Sequence, residues 1–342
     1  MKPLTAGVLA RLADGGFHSG EALARSLEVS RASVWNAVRD LETTGIEIYK
    51  VHGRGYRLPY PVTLLDRAAV ERHLGANAGR FTLDIRDTVD STNTRLLERA
   101  AAGAPGGMVL AAEWQSGGRG RLGRAWHAGV GEALTFSLLW RCARGAGALS
   151  GLTLAVGVAL ARALMAAGAG NVALKWPNDV LWRGAKLAGV LTELHGDALG
   201  PTAVAIGIGI NVRLSDATRA RIGQAAADLE TACGAAPDRN RLLAGVLAEL
   251  DRMLEAFGRD GFAPLRDEWQ HRHAQQGRRV TLTLPDGTRR SGRARGVAED
   301  GALLFETRSG TQRFHSGDIT LRPASAKKAK QMKPQINADK HR

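Results

Sequence analysis
Residues 117–126 read GGRGRLGRAW: three arginines and four glycines in ten positions, closed by a tryptophan. Glycine lets the backbone approach a ligand closely and adopt positive φ, and arginine presents a planar fork of donors that matches carboxylate and phosphate oxygens. The chemistry suited to this composition is the holding of an anion. Residues 118–123 also spell G-x-G-x-x-G, but a dinucleotide fingerprint needs a helix directly after its third glycine. Here the chain runs on to Gly131 and then alternates as LTFSLLW over 134–140, which is a strand signal. A kinase glycine loop fails too, because no H-R-D or D-F-G follows it.

Lysine usage marks a second locus. The chain holds 47 basic residues, yet between Lys50 and Lys327 the only lysines are Lys175 and Lys186, so arginine serves for ordinary surface charge. The two exceptions fall in KWPND at 175–179 and at the head of KLAGVLTEL at 186–194. A lysine is a compact point charge, useful against a phosphoryl or carboxylate oxygen that moves during a reaction. Either lysine alone reads as an accident of a strand end; both together, beside an arginine loop, read as a site.

The elements that must carry these residues follow from periodicity. In residues 1–60, Leu4, Val8 and Leu12 repeat at helical spacing, Ser19 can cap a helix with Leu23 and Leu27, and Ser30 can cap a third whose buried stripe is Val34, Val38 and Leu41. Gly45 stops that helix, and the chain turns at Gly53-Arg54-Gly55 between two short strands. The reading is a winged helix-turn-helix. Such a module places the N-terminal residues of its third helix in the major groove, here Arg31, Ala32, Ser33 and Asn36, with Arg39 and wing Arg54 within reach of phosphates. A helical protein-interaction module is the alternative.

After LPYPV at 58–62, residues 61–270 alternate strand and helix patterns. Strands are expected at 81–88, 108–114, 133–140, 172–176, 187–194 and 203–212, and helices at 94–102, 149–167 and 238–258. Most consecutive strands are too close for a helical crossover, which favours a mixed or antiparallel sheet. Residues 271–323 break into short strands with turns at Pro285-Asp286-Gly287, Glu299-Asp300-Gly301 and Ser309-Gly310, a small SH3-like β-barrel pattern, and 324–342 is a basic tail without apolar periodicity. The fold class is thus α/β in the α+β sense, in several domains.

Composition narrows the function. At 342 residues the chain fits two or three domains, and a formal charge of +14 favours polyanions or anionic substrates. Cys142 and Cys233 have neither C-x-x-C nor metal-ligand spacing, so no disulfide framework or zinc site is indicated. The N-terminus reaches Arg11 and Asp14 before any signal-peptide core, and the apolar run between Arg144 and Arg162 is short and glycine-rich for a membrane span. A cytoplasmic protein without a membrane partner is expected.

The ordered set DSTN at 90–93, GRGRLGRAW at 118–126, KWPND, KLAGVL and GIGIN at 207–211 resembles the biotin protein ligases, and with the winged helix in front it resembles their bifunctional ligase and repressor form. The resemblance spans about residues 4–323 and departs at Leu122, where many members carry another arginine. It implies attack of the biotin carboxylate on the α-phosphate of ATP, with Mg²⁺ on the triphosphate, and transfer of biotin from biotinyl-5′-AMP to a lysine of biotin carboxyl carrier protein. Two anions must meet, so Arg119, Arg121 and Lys186 neutralise the charge that spreads in the transition state. By the same resemblance Ser91, Thr92 and Gln115 bond the ureido ring, and Asn93, Gly118, Gly120 and Arg124 belong to the ligand site. Trp126 packs along the ligand or adenine, and Asn211, after a Gly207-x-Gly209 turn, lies near the nucleotide. Asp179 orients Lys186 or the incoming amine. Operator DNA and a homodimer formed with bound adenylate are the implied partners. For Ser91 and Thr92 simple capping of the following helix is the competing role, for Trp126 ordinary core, and for Asp179 a turn cap. Two other functions stay open: a lipoate protein ligase, disfavoured by the arginine loop and winged helix, and a ligand-sensing repressor without catalysis.

Overall fold
The computed structural model describes residues 1–196, 200–284, 286–315 and 320–323; the basic tail at 324–342 and Pro285 of the expected turn lie outside them. The chain begins with α1 (Pro3–Leu12), α2 (Gly20–Ser26) and α3 (Arg31–Glu42), then a two-stranded wing, β1 (Tyr49–Val51) and β2 (Gly55–Arg57). The caps are those the sequence offers: the Ser19 hydroxyl accepts from Ala22 N and that of Ser30 from Ser33 N. Val8, Leu12, Val34, Val38 and Leu41 form the core of this module. Val130 of the following segment is buried in the same core.

The central body contains α4 (Arg67–Leu74), β3 (Thr82–Val89), α5 (Thr92–Ala101), β4 (Met108–Gln115), β5 (Ala133–Cys142) and α6 (Leu152–Ala166). It continues with β6 (Val172–Lys175), β7 (Asp179–Trp182), β8 (Ala185–Gly196), β9 (Thr202–Asn211), α7 (Asp216–Ile222), α8 (Leu229–Cys233), α9 (Arg239–Asp260) and α10 (Arg266–His271). The strands order as β3-β4-β5-β9-β8-β7-β6 in one mixed sheet. Among the described residues of this sheet only β3 and β4, joined through α5, pair in parallel; β4–β5 and the run β6–β7–β8–β9 reverse through connections that hold no α-helix, and β9 then returns antiparallel beside β5. Every expected strand is present within two residues at each end, while β7, α4, α7, α8 and α10 were not anticipated. The last, β10 (Arg279–Thr283), β11 (Arg289–Val297), β12 (Leu303–Thr307), β13 (Gly310–Phe314) and β14 (Thr320–Pro323), stand where a small barrel was expected and form a five-stranded antiparallel sheet ordered β13-β12-β11-β10-β14.

The sheet has two unlike faces, and β9 shows why. In TAVAIGIGIN, Val204, Ile206, Ile208 and Ile210 point into the large core beneath α6 and α9, whereas Ala203 and Ala205 meet α5. By the period of two, Gly207 and Gly209 continue the α5 face, where they leave room rather than fill it. These glycines therefore sit within a strand, not in the turn expected around Gly207-x-Gly209. The apolar stretch Ala146–Ala166 is long enough to span a membrane by length and composition, but its helix lies in the core, with Leu154, Val158 and Leu160 buried.

A buried ion pair fixes the chain between winged helix and sheet. Arg239 Nη2 lies 2.7 Å from Glu113 Oε2, both side chains almost fully buried, and Arg239 also donates to the carbonyls of Thr63 and Ala133. Asn240 donates to Leu64 O and accepts from Asp66 N. Arg239→Ala leaves Glu113 charged and unpaired, so denaturant unfolding should show a loss of about 3–5 kcal/mol. An unchanged midpoint would show that the pair does not hold the linker.

Candidate active site and nucleic-acid face
A cavity of about 300 Å³ opens on the glycine-bearing face of the sheet, beside the N-terminus of α5. Its wall brings together Ser91, Thr92, Asn93, Gln115, Arg119, Gly120, Arg121, Arg124, Trp126, Lys186, Gly207, Gly209 and Asn211, which are far apart in sequence. Gly118 stands just behind, its carbonyl accepting from Trp126 N at 2.9 Å. Asp179 is outside the wall.

At the inner end the polar groups form a connected chain. Gln115 Oε1 accepts from Thr92 N at 2.7 Å; the Thr92 and Ser137 hydroxyls are 2.7 Å apart, and Ser137 Oγ is 2.6 Å from Asn93 Oδ1. Asn93 Nδ2 donates to Leu191 O and to Glu193 Oε2. A Cβ on Gly207 would strike Asn93, which is why that strand position is glycine. Ser91 caps α5 by accepting from Thr94 N at 3.4 Å, so its capping role is real alongside its place in the wall.

The arginine loop arches over this pocket. Gly120 N donates to Arg124 O at 2.6 Å and Arg124 Nε to Arg121 O at 3.2 Å, so the loop closes on itself. Arg119 Nη2 donates to Thr94 Oγ1 at 2.9 Å and lies 3.3 Å from Glu193 Oε1, which places its charge at the pocket rim. Leu122, the position that departs from the family pattern, takes a left-handed φ of 57° and leaves its side chain exposed.

Trp126 lies flat over Gly209, where an added Cβ would come within 2.5 Å of the indole. Its buried Nε1 has no protein partner, a donor left for a ligand. Gly209→Ala should thus displace the indole, weaken ligand binding by tenfold or more, on the order of 1–3 kcal/mol, and alter tryptophan fluorescence. Ligand affinity equal to the parent would remove Trp126 from the site.

Lys186 is aimed by irregularity in the sheet. Between β7 and β8 the register slips, Val180 facing Ala188 but Leu181 facing Lys186, so Leu187 is an extra residue in a bulge. Gly189 leaves space for the lysine, its hypothetical Cβ being 3.1 Å from Lys186 Cε and Nζ. Nζ lies 2.6 Å from Asp179 Oδ1 and 6.0 Å from the Trp126 ring centre. The contact is a close ion pair between two largely buried side chains. Asp179 also holds Lys175 at 3.5 Å, so the two lysines that stand out in the sequence share one carboxylate. It opens β7 behind Lys186, whereas its neighbour Asn178 lines the cavity. Asn211 donates to Lys186 O and Ala227 O, a structural use of its amide.

Sequence reasoning missed Ser137, Asn178, Gly189 and Glu193. The available signal was strand alternation: Ser137 faces Gly207 across the β5–β9 pair, and Thr135 faces Gly209. Polar residues opposite glycines in buried strands mark a face kept open for a ligand.

On the winged helix, Arg31, Ala32, Asn36, Arg39 and Arg54 are exposed, while Ser33 is half-buried with its hydroxyl 2.9 Å from Ser30 Oγ in the cap. No acidic residue occurs between Val29 and Arg39.

A winged helix, a mixed sheet carrying an arginine-rimmed pocket, and a small antiparallel sheet define a ligase coupled to a DNA-binding module. Family models agree: an HTH domain matches residues 7–57, the biotin/lipoate A/B protein ligase family residues 86–211, and the biotin protein ligase C-terminal domain residues 277–322. The chain is 36% identical over 317 residues to the bifunctional ligase/repressor BirA of Escherichia coli, covering 93% of this chain and 97% of that protein. It is 35% identical to the biotin–[acetyl-CoA-carboxylase] ligase of Mycobacterium tuberculosis, over 74% of this chain and 94% of the relative. The structure of the biotin protein ligase from Aquifex aeolicus in complex with biotin and ATP superposes with a TM-score of 0.61 at 30% identity, covering 71% of this chain and 99% of that one. The chain belongs to the biotin protein ligase family.

Proposed function
We propose that this protein activates biotin with ATP as biotinyl-5′-AMP, transfers it to a lysine of biotin carboxyl carrier protein, and represses transcription in response to that intermediate. The observation that carries the ligase half is the convergence on one cavity of a rim arginine, an indole with an unused donor and a lysine held only by an ion pair. The inner chain through Gln115, Thr92 and Ser137 offers fixed donors and acceptors to a small polar ring, which a bare apolar pocket does not. Thr92 belongs to this chain in addition to starting α5. Arg119, Arg121 and Lys186 lower the repulsion as the carboxylate meets the α-phosphate, and Trp126 covers the junction. Asp179 orients Lys186 through their 2.6 Å ion pair.

Magnesium enters as part of the Mg²⁺–ATP substrate, held through the phosphates. Among the described residues no group of three histidine, cysteine or carboxylate side chains is arranged to hold a metal ion. Taking 1–60, 61–270 and 271–323 as the working domains, the DNA face is Arg31, Ala32, Ser33, Asn36, Arg39 and Arg54, and the protein acts in the cytoplasm, where ATP and DNA are found. Biotin-dependent exchange of pyrophosphate into ATP by the purified chain tests the chemistry. Exchange with lipoate in place of biotin would favour the lipoate ligase reading, and exchange with neither would leave a sensing repressor.

A further inference from the structure
The outward side of α3 carries a residue that neither the fold nor the proposed phosphate contacts explain. Trp35 is 47% exposed, although tryptophan is among the side chains that gain most from burial. The core side of the same helix is complete without it, filled by Val34, Ala37, Val38 and Leu41. The Arg39 guanidinium lies 4.7 Å from the Trp35 ring centre, one turn further on, and Ala32 and Asn36 are exposed beside it. The guanidinium stacks on part of the ring and leaves the remainder of the indole as apolar surface beside Arg31, Asn36 and Arg39, while the carboxylates at the far end of the helix, Asp40 and Glu42, are paired with Lys2 and Lys50.

Among base edges in the major groove the one apolar group is the thymine 5-methyl. We infer that Trp35 is a specificity-determining residue that packs on a thymine methyl in the operator, with Arg39 held on its ring toward the adjacent phosphate. This inference rests on the DNA-binding reading proposed above. Charge complementarity favours DNA over a second protein as the occupant: Arg31 and Arg39 flank the ring, and wing Arg54, stacked 4.0 Å from the Phe17 ring centre, is exposed as well.

The probe is a duplex selected from a random library by the full-length protein in the presence of biotin and ATP. Each thymidine is then replaced singly by deoxyuridine, which removes only the methyl, and affinity is measured by fluorescence anisotropy at fixed salt. For the parent protein, one position per half-site should lose about fivefold or more. Trp35→Ala should bind more weakly and be indifferent to deoxyuridine at that position, while keeping the parent's salt dependence. Arg39→Ala should instead lower the slope of log affinity against log salt by about one. Equal binding of every deoxyuridine duplex by the parent, or the same deoxyuridine penalty in Trp35→Ala, overturns the assignment while leaving DNA binding intact. If Trp35→Ala changes sedimentation of the ligand-bound protein but not its base preference, the ring is a subunit contact and the inference falls. Failure to select any sequence would overturn the DNA-binding reading itself.

Discussion

Lys186→Ala is expected to lower biotin-dependent pyrophosphate exchange on the order of 10²–10³-fold or more while leaving the unfolding transition near that of the parent. The large effect follows from position. Nζ lines the same cavity as the arginine loop, 6.0 Å from the Trp126 ring centre, where in the proposed reaction two anions approach each other. The small structural effect follows from the neighbours. Asp179 keeps Lys175 at 3.5 Å when Lys186 is truncated, and the backbone of residue 186 stays tied through its N–H to Ala225 O and its carbonyl to Ala227 N. Lys186→Arg should rescue poorly, because the guanidinium is a broad rigid fork and the space over Gly189 is shaped to a slim chain. Lys175→Ala should be much milder, since Lys175 steadies Asp179 without lining the cavity. Exchange by Lys186→Ala within a few-fold of the parent would remove this lysine from the chemistry.

The legible parts of this protein were those in which one physical signal dominates. Helix caps at Ser19 and Ser30, the apolar stripe of α3 and the long alternating strands β5 and β9 are each specified locally, and they formed as read. The loop arginines and the two isolated lysines were conspicuous by composition. What stayed hidden is set by pairing across the sheet. β7 has four residues, too few for a period to show, yet it carries Asp179 and creates the bulge that aims Lys186. Within the expected strand at 203–212 the two glycines of GIGIN suggested a turn, because glycine usually signals one; only their neighbours show that Gly207 makes room for Asn93 and Gly209 for Trp126. Glu193 lies 74 positions from Arg119, and no local pattern joins them. The helix α4 was missed because only Val70 and Leu74 of its eight residues are buried, too sparse a stripe to read.

Binding to the promoter of this protein's own biotin genes is expected to tighten about tenfold or more when biotin and ATP are supplied, at fixed salt. Two connections in the structure carry that expectation. The arginine loop ends at Trp126, and four residues later Val130, 1% exposed, is embedded in the winged-helix core with Leu41, Ile46 and Leu58. Gly131, at a φ of +78°, packs so closely on Val62 that a Cβ there would overlap it. From the other side, Glu132 accepts from Gly129 N, Ser215 N and Thr218 Oγ1, tying the same segment to α7, whose Ile222 lines the cavity. Above this knot Tyr60 stacks with Arg213 at 4.1 Å, its hydroxyl pushed up to about 12 chiefly by burial and then by the Glu132 charge, so it stays neutral across the physiological range. A ligand that orders residues 119–124 therefore acts on a strut already inserted in the DNA-binding module, and a dimer formed in that state would present two recognition helices together. Val130→Ala should narrow the difference between apo and ligand-bound affinity while pyrophosphate exchange continues, whereas Arg31→Ala with Arg39→Ala should weaken both states alike. Deleting residues 1–60 is the poorer test, because it uncovers Val62, Val130 and Trp114 near the arginine loop. If the full-length protein shifts the promoter equally with and without biotin and ATP, or never shifts it, the proposed repression fails. If Val130→Ala retains the whole ligand effect, the strut is not its route.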